Sequence, residues 1–483
     1  MKKFFRLLTF LAFVFIMFST AACSNGNDEN SNSGNNSSNT SNTGSGTDTT
    51  NKEKIISTTK KLNLNLTDAT NLYIGKTTSN ITRAARAVDN STENKLFKIT
   101  EDGYVQEISY TYEVTSVIEY EENVYDENGV ITGTETKTKT EVKTETATEN
   151  FTPTKIIKLN KKYLIVCFSS DNYLVNSETG AAYKYANEVP YISNSLSYYY
   201  GDSVSTDSAD NIYYVSSSNI VKLDVSNPNS VTLKKISATT ENVKPTVWGV
   251  DANGNIAYEG TDASGNGVLR FKSTNGGYSN LPGNTNHSFT MFWQGLDGLL
   301  YYFNASNENT KIKKLNASPF NVTDYSEEQN ATGNMGACGF KALLKAKNKN
   351  RIILLADGSA YPEFYEVYNP DTNALKKIEA SVVGLNKIKF GISSDDYYFL
   401  VGTDSANNST LVKIEPTDYT YETLLSDGAY DIYNLSISNE AIIFNALRMN
   451  DGAIVLGKIA SDKSISILDE NLEEQITVLE RIK

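Results

Sequence analysis

Short apolar runs, some alternating with polar residues and some continuous, recur along this chain between clusters of Asp, Asn, Gly and Ser. The pattern is clearest at residues 250–271, where Asp251-Ala-Asn-Gly-Asn255 precedes Ile256-Ala-Tyr258, a polar loop and Val268-Leu-Arg270-Phe271. It reads as strand, tight turn, strand, longer turn, strand. The first apolar residue after the turn recurs at Leu72, Leu164, Ile212, Ile256, Leu300, Ile352, Tyr397 and Ile442, with last steps of 44, 44, 52, 45 and 45 residues. A period in the forties with strand-type segments in every copy predicts an all-β chain, a β-propeller of four-stranded blades. Complete units fall at about 60–109, 153–187, 195–238, 244–284, 287–326, 335–380, 385–428 and 429–468, which makes eight blades, or seven if the first or last is irregular.

Three features modify that plan. Leu62-Asn-Leu64-Asn-Leu66 alternates and reads as the first strand of blade one, while the tail at 475–482 reads as a strand that closes the ring or as a short helix. The interval from Leu72 to Leu164 is a blade too long, and the surplus, about 111–150, is one hairpin turning at Asp126-Glu-Asn128-Gly129. Pairing Glu119 with Lys137, Glu113 with Lys143 and Val114 with Val142 gives its expected register, in arms of about 60 Å that project beyond the ring. A cation recurs at one position of the third strand, Lys98, Lys222, Arg270, Lys314, Lys413 and Lys458. Alternation puts it between blades, its stem on apolar surface and its head toward solvent.

The amino terminus changes the setting. Lys2, Lys3 and Arg6 precede an apolar run at 7–18 and the small residues before Cys23, a secretory signal over 1–22 that is too short for a membrane span. The small residues before Cys23 resemble a bacterial lipobox, although Thr20 stands where Leu is usual, and the resemblance implies an acylated Cys23. From 23 to 52 the chain is Asn, Ser, Gly and Thr in the main, a tether with an end-to-end distance of roughly 30 Å. The folded part is then 53–483, held on a membrane by the N-terminal lipid. The net charge of −13 is spread along the chain and argues against nucleic acid as a partner.

Candidate chemistry is sparse. The one histidine, His287, lies in a loop without a nucleophile motif, and no Cys/His metal spacing or nucleotide fingerprint follows a strand, so neither cofactor nor metal is expected. Cys167 and Cys338 fall in distant blades and read as free thiols. The loops at Asp262 and Asp404 carry oxygen ligands suited to calcium or, equally, to plain turns. On the face of the second-to-third strand loops, Tyr191, Tyr198, Tyr199 and Tyr200 form the most conspicuous recognition group, whereas Trp248 and Phe292 read as core.

Asp210-Asn-Ile-Tyr-Tyr214, Asp251-Ala-Asn-Gly-Asn-Ile256 and Asp297-Gly-Leu-Leu-Tyr-Tyr302 resemble the repeat phrase of NHL-like and related extracellular propellers. The plan is also similar to the scaffold lipoprotein of the outer-membrane assembly machine, but its tryptophan-rich repeats are absent. These resemblances imply a monomeric, non-enzymatic lipoprotein of the bacterial envelope, at the outer membrane or cell surface, that binds a protein or glycan. An envelope scaffold is the alternative, and a glycan-active enzyme on the channel face ranks third.

Overall fold

The computed structural model describes residues 53–78, 92–185, 190, 204–283, 289–305, 311–326, 339–357, 363–426, 428–438, 441–476 and 479–481. Among these residues, antiparallel strands form eight sheets, seven of four strands and one of seven. The second strands are Ala69–Thr78, Tyr163–Phe168, Ile212–Ser216, Ile256–Thr261, Leu300–Ala305, Arg351–Asp357, Tyr398–Thr403 and Ala441–Arg448. Each begins at or within three residues of the apolar position that defines the repeat.

Burial on both faces explains why these strands are continuous apolar runs. Tyr163–Phe168 is buried at every position. Successive residues point to opposite faces, so each strand serves two neighbours. Tyr213 and Val215 pack on Val243, Trp248 and Val250 of blade four, while Ile212 and Tyr214 pack on Ile157, Ile165 and Leu174 of blade two. Eight such clusters, one at each contact between adjacent blades, account for the core. The cluster of Tyr73, Phe97 and Ile99 with Ile443, Leu456 and Leu472 joins blade one to blade eight, so the ring is closed with eight blades rather than seven.

The tail supplies the closure as a strand. Leu479–Arg481 is the innermost strand of blade one, with Tyr73 opposite Leu479 and Leu72 opposite Glu480. The Lys158 ammonium of blade two donates to the Arg481 carbonyl at 2.5 Å. The segment expected in this place has another partner. Leu62 and Leu64 end a bridging strand, Lys54–Leu64, that pairs with the outer edge of blade two at Ala181 and Ala182 and with Tyr110–Glu119 on its other side. Their side chains still lie in the core between blades one and two. Alternation correctly marks a half-buried strand, but it carries no information about which edge that strand joins.

The seven-stranded sheet is therefore blade two extended outward by the bridging strand, an inner arm, Tyr110–Tyr125, and an outer arm, Ile131–Thr146. The two arms form a ribbon whose register differs from the expected one by a single residue. Glu119 stands opposite Thr138, Val114 opposite Lys143 and Tyr120 opposite Lys137, because the register shifts between Val124 and Tyr125 and leaves Thr132 without an opposite residue. Gly129, at φ 77°, makes the expected left-handed turn position, and the shift follows it. Charge matching is met elsewhere: Lys61 of the bridging strand binds Glu113 at 2.8 Å, and Lys137 pairs with Glu122.

Candidate functional site: turns, hub and ribbon tip

An antiparallel meander puts first-to-second and third-to-fourth turns on one face of the ring, and second-to-third loops and blade-to-blade connections on the other. On the first face the acids of the repeat are structural. Asp207 and Asp251 each accept the backbone N–H groups two and four residues on, and each takes a second bond from an asparagine amide, Asn211 and Asn255. The position that demands a left-handed backbone is Gly254 in one turn and Asp210 in the other, at φ 80° and 57°. Asp207, not Asp210, is thus the counterpart of Asp251. The turns are linked in series: Ser208 N–H donates to the Ala252 carbonyl at 2.9 Å, and Ala252 N–H to Gly298 at 2.8 Å.

Tyrosines from the strands bind the same acids. Tyr213 donates to Asp207 at 2.8 Å and Tyr301 to Asp297 at 2.7 Å, where Lys314 joins at 2.9 Å. Burial pushes the Asp297 carboxyl up, but its bonds from Lys314, Tyr301 and the Leu299 N–H outweigh this and hold it below the ordinary value. Asp251 is shifted the other way, because burial dominates and Asp207 adds repulsion. Further buried carboxylates are met in the same manner: Glu241 accepts from Tyr258 at 2.6 Å and Arg270 at 2.9 Å, and Glu366 accepts from Tyr419 at 2.5 Å and Asn369 at 2.9 Å. These tyrosine–carboxylate bonds had no sequence signal beyond the abundance of tyrosine.

The recurrent third-strand cations follow the expected design except at Lys98, which is 3% exposed and so does not carry its head to solvent. Lys222, Lys314 and Lys413 lie over the rings of Tyr213, Tyr301 and Tyr397, while Lys98 reaches the Thr67 carbonyl at 2.8 Å. The loops at Asp262 and Asp404 are plain turns of the Asp207 type, each carboxylate taken up by two backbone N–H groups and an asparagine amide. Among the described residues, no group of three or more His, Cys, Asp or Glu is placed to hold a metal ion.

At the hub, innermost strands of blades three to six enclose a recess of about 310 Å³, open solvent included, lined by Ser205, Trp248, Phe292, Trp293, Gln294 and Lys345 among others. Trp248 and Phe292 are core residues: the Trp248 indole donates to the Pro245 carbonyl at 3.1 Å, and Phe292 stacks on Tyr302. The recess offers hydrogen-bond groups and one cation on an aromatic floor. Ser205, Gln294 and Lys345 were not singled out in the sequence, since each sits in a first strand with no motif around it.

The ribbon provides the other surface. The inner arm runs parallel to Ala181–Tyr185, toward the face of the loops and blade-to-blade connections, and outruns it by about 30 Å. Near its base Val114 and Ile118 are buried, and Lys60 and Lys139 lie over Tyr112 and Tyr120. At the tip this cover ends. Val124, Tyr125, Val130 and Ile131 are 42%, 59%, 59% and 52% exposed, with Tyr125 directly opposite Ile131.

The sequence-selected residues Cys23, Tyr191, Tyr198, Tyr199, Tyr200, His287 and Cys338 lie outside the described residues. Cys167 is a buried free thiol, its pKa pushed up by burial against the opposing influence of Lys155.

No protein-family model matches the chain. No curated protein matches it in sequence. Among solved structures, it is similar to an oligogalacturonate lyase from Vibrio parahaemolyticus at 12% identity and a TM-score of 0.40, over 72% of this chain and 99% of that one. A puromycin hydrolase matches at 10% identity and 0.40, over 68% of this chain and 54% of its own length. Oligopeptidase B from Trypanosoma brucei matches at 10% and 0.40, over 68% and 49%, so this chain spans about half the length of the two hydrolytic relatives. These solved structures are mostly enzymes, and that finding corrects the expectation of a non-enzymatic protein: a ring of this kind gives no ground for excluding catalysis, and the exclusion is withdrawn.

Proposed function

We propose that this chain is an exported, lipid-anchored protein of the bacterial envelope, displayed at the outer membrane or cell surface, whose propeller carries the ribbon as a docking arm for a protein partner. The observation that carries the reading is the apolar tip, Val124, Tyr125, Val130 and Ile131, at the end of an otherwise charged and threonine-rich ribbon. An aromatic ring flanked by β-branched residues provides contact area at low entropic cost, which suits a protein surface better than a polar sugar. The signal segment, Cys23 and the polar tether support the anchored setting.

The test is photo-cross-linking in living cells from a reactive residue at Tyr125 or Ile131, with Thr136 as the control position. A discrete protein adduct from the tip, absent at Thr136 and lost when Val124, Val130 and Ile131 are changed to Ser, is the expected result. Equal labelling from all positions, or none from the tip, sinks the reading. Protease shaving of intact cells checks the location separately: resistance until the envelope is broken makes the internal scaffold the better account.

A further inference from the structure

The outer arm is the free edge of the seven-stranded sheet: the inner arm pairs with one side, and no strand among the described residues covers the other. Its hydrogen-bonding phase identifies the exposed backbone groups. Ala147 N–H donates to the Tyr110 carbonyl at 3.0 Å, and the register continues from there with Thr111 opposite Thr146. Odd-numbered outer-arm residues therefore bond inward, while the backbone of Thr134, Thr136, Thr138, Thr140, Val142 and Thr144 faces the open edge. The intervening side chains are Glu135, Lys137, Lys139, Glu141, Lys143 and Glu145.

We propose that this edge is completed by the same edge of a second copy of the chain, antiparallel about a two-fold axis at Val142. In that register Val142 exchanges backbone hydrogen bonds with its own counterpart, Thr140 with Thr144 of the second copy, and Thr138 with Thr146, all through groups that face the edge. The pairs between them bring side chains closest: Lys139 meets Glu145 of the second copy, and Glu141 meets Lys143. Both halves together give four opposite-charge pairs and no like pair within the arms.

The neighbouring registers are repulsive. With the axis on Glu141, that residue faces itself and Lys139 faces Lys143; with the axis on Lys143, that residue faces itself and Glu141 faces Glu145. Lysines on an open edge ordinarily discourage promiscuous pairing. A self-complementary order of charges keeps that protection while admitting one partner, a second outer arm. The ion pairs now made by these residues, Lys139 with Glu53 at 2.6 Å and Glu141 at 3.0 Å, Lys143 with Glu141 at 3.6 Å and Glu145 with Lys60 at 3.6 Å, all lie at the surface and exchange at little cost. Val142, 60% exposed in the single chain, is covered at the axis. The assembly replaces the monomer expected from sequence and leaves the ribbon tip free.

Cross-linking and sedimentation of the full chain test it. A hydrogen-bonded antiparallel pair spaces its Cα atoms about 5.5 Å apart, within disulfide reach. Val142→Cys should give a disulfide-linked dimer under mild oxidation, while Thr136→Cys and the unmodified chain give none. In sedimentation equilibrium, Lys139→Glu with Lys143→Glu should weaken association at least about tenfold. Adding Glu141→Lys and Glu145→Lys should restore it, a rescue that nonspecific aggregation does not show. A chain that sediments as a monomer, a cross-link at Lys139→Cys with none at Val142→Cys, or failure of the charge swap to rescue overturns the proposal.

Discussion

Asp207 and Asp251 open the same turn, whereas Asp297 is the third residue of its turn, which opens at Gly295, and accepts only one backbone N–H, that of Leu299; the three carboxylates sit in different electrostatic settings. Asp297 gains Lys314 and Tyr301, so its folded-state pKa lies below the unfolded one and it stabilises the ring at neutral pH. That contribution is complete above the unfolded value of about 3.9 and is lost as pH falls through the depressed folded value. Asp297→Asn is accordingly expected to lower Tm at pH 7 and to match the unmodified chain progressively as pH falls below about 4, which thermal melts across that range will show. The phrase Asp-x-x-Gly-Asn was legible as a turn because each of its residues answers a local backbone requirement. Which aspartate of Asp207-Ser-Ala-Asp210-Asn211 filled the role was not legible, since both fit and only the closed turn places the second at the left-handed position.

The ribbon shows the same division at the level of an element. Its existence, its turn and its approximate limits follow from alternation and from Asn128-Gly129, both local signals. Its register did not follow. Matching Glu119 to Lys137 and Glu113 to Lys143 assumes an unbroken ladder, and the shift beside Tyr125 moves every pair between it and the base by one residue, so that Glu113 binds Lys61 of the bridging strand and Lys137 binds Glu122 across the arms. Because Tyr110, Tyr112, Ala147 and Phe151 anchor the base in the core between blades one and two, the distal ribbon is separable from the ring. Replacing residues 119–138 with Asn-Gly is expected to leave the circular dichroism spectrum of the ring in place and Tm within about 3 °C. A larger fall would show that the tip contributes to folding as well as to recognition.

For the whole molecule, closure decides stability. Blade one is assembled from the two ends of the folded chain, and Leu479 is buried among Tyr73, Ile99, Ile443 and Ile476 where blade eight meets it. Leu479→Ala should cost about 2–5 kcal/mol, read from urea unfolding, because it empties the site that holds the ring shut. A value near zero would mean that the final strand is dispensable. The sequence by itself determined the repeat, the eight second strands, the core character of Trp248 and Phe292, and the two candidate closing forms of the tail, because alternation, turn chemistry and period are local properties of the chain. Only the tertiary structure decided that the tail is the innermost strand of blade one, that Leu62 and Leu64 join the edge of blade two, and that Tyr419 binds the buried Glu366. Those are contacts between residues far apart in the chain, where strands of like pattern compete for an edge and only simultaneous packing of all eight interfaces selects among them.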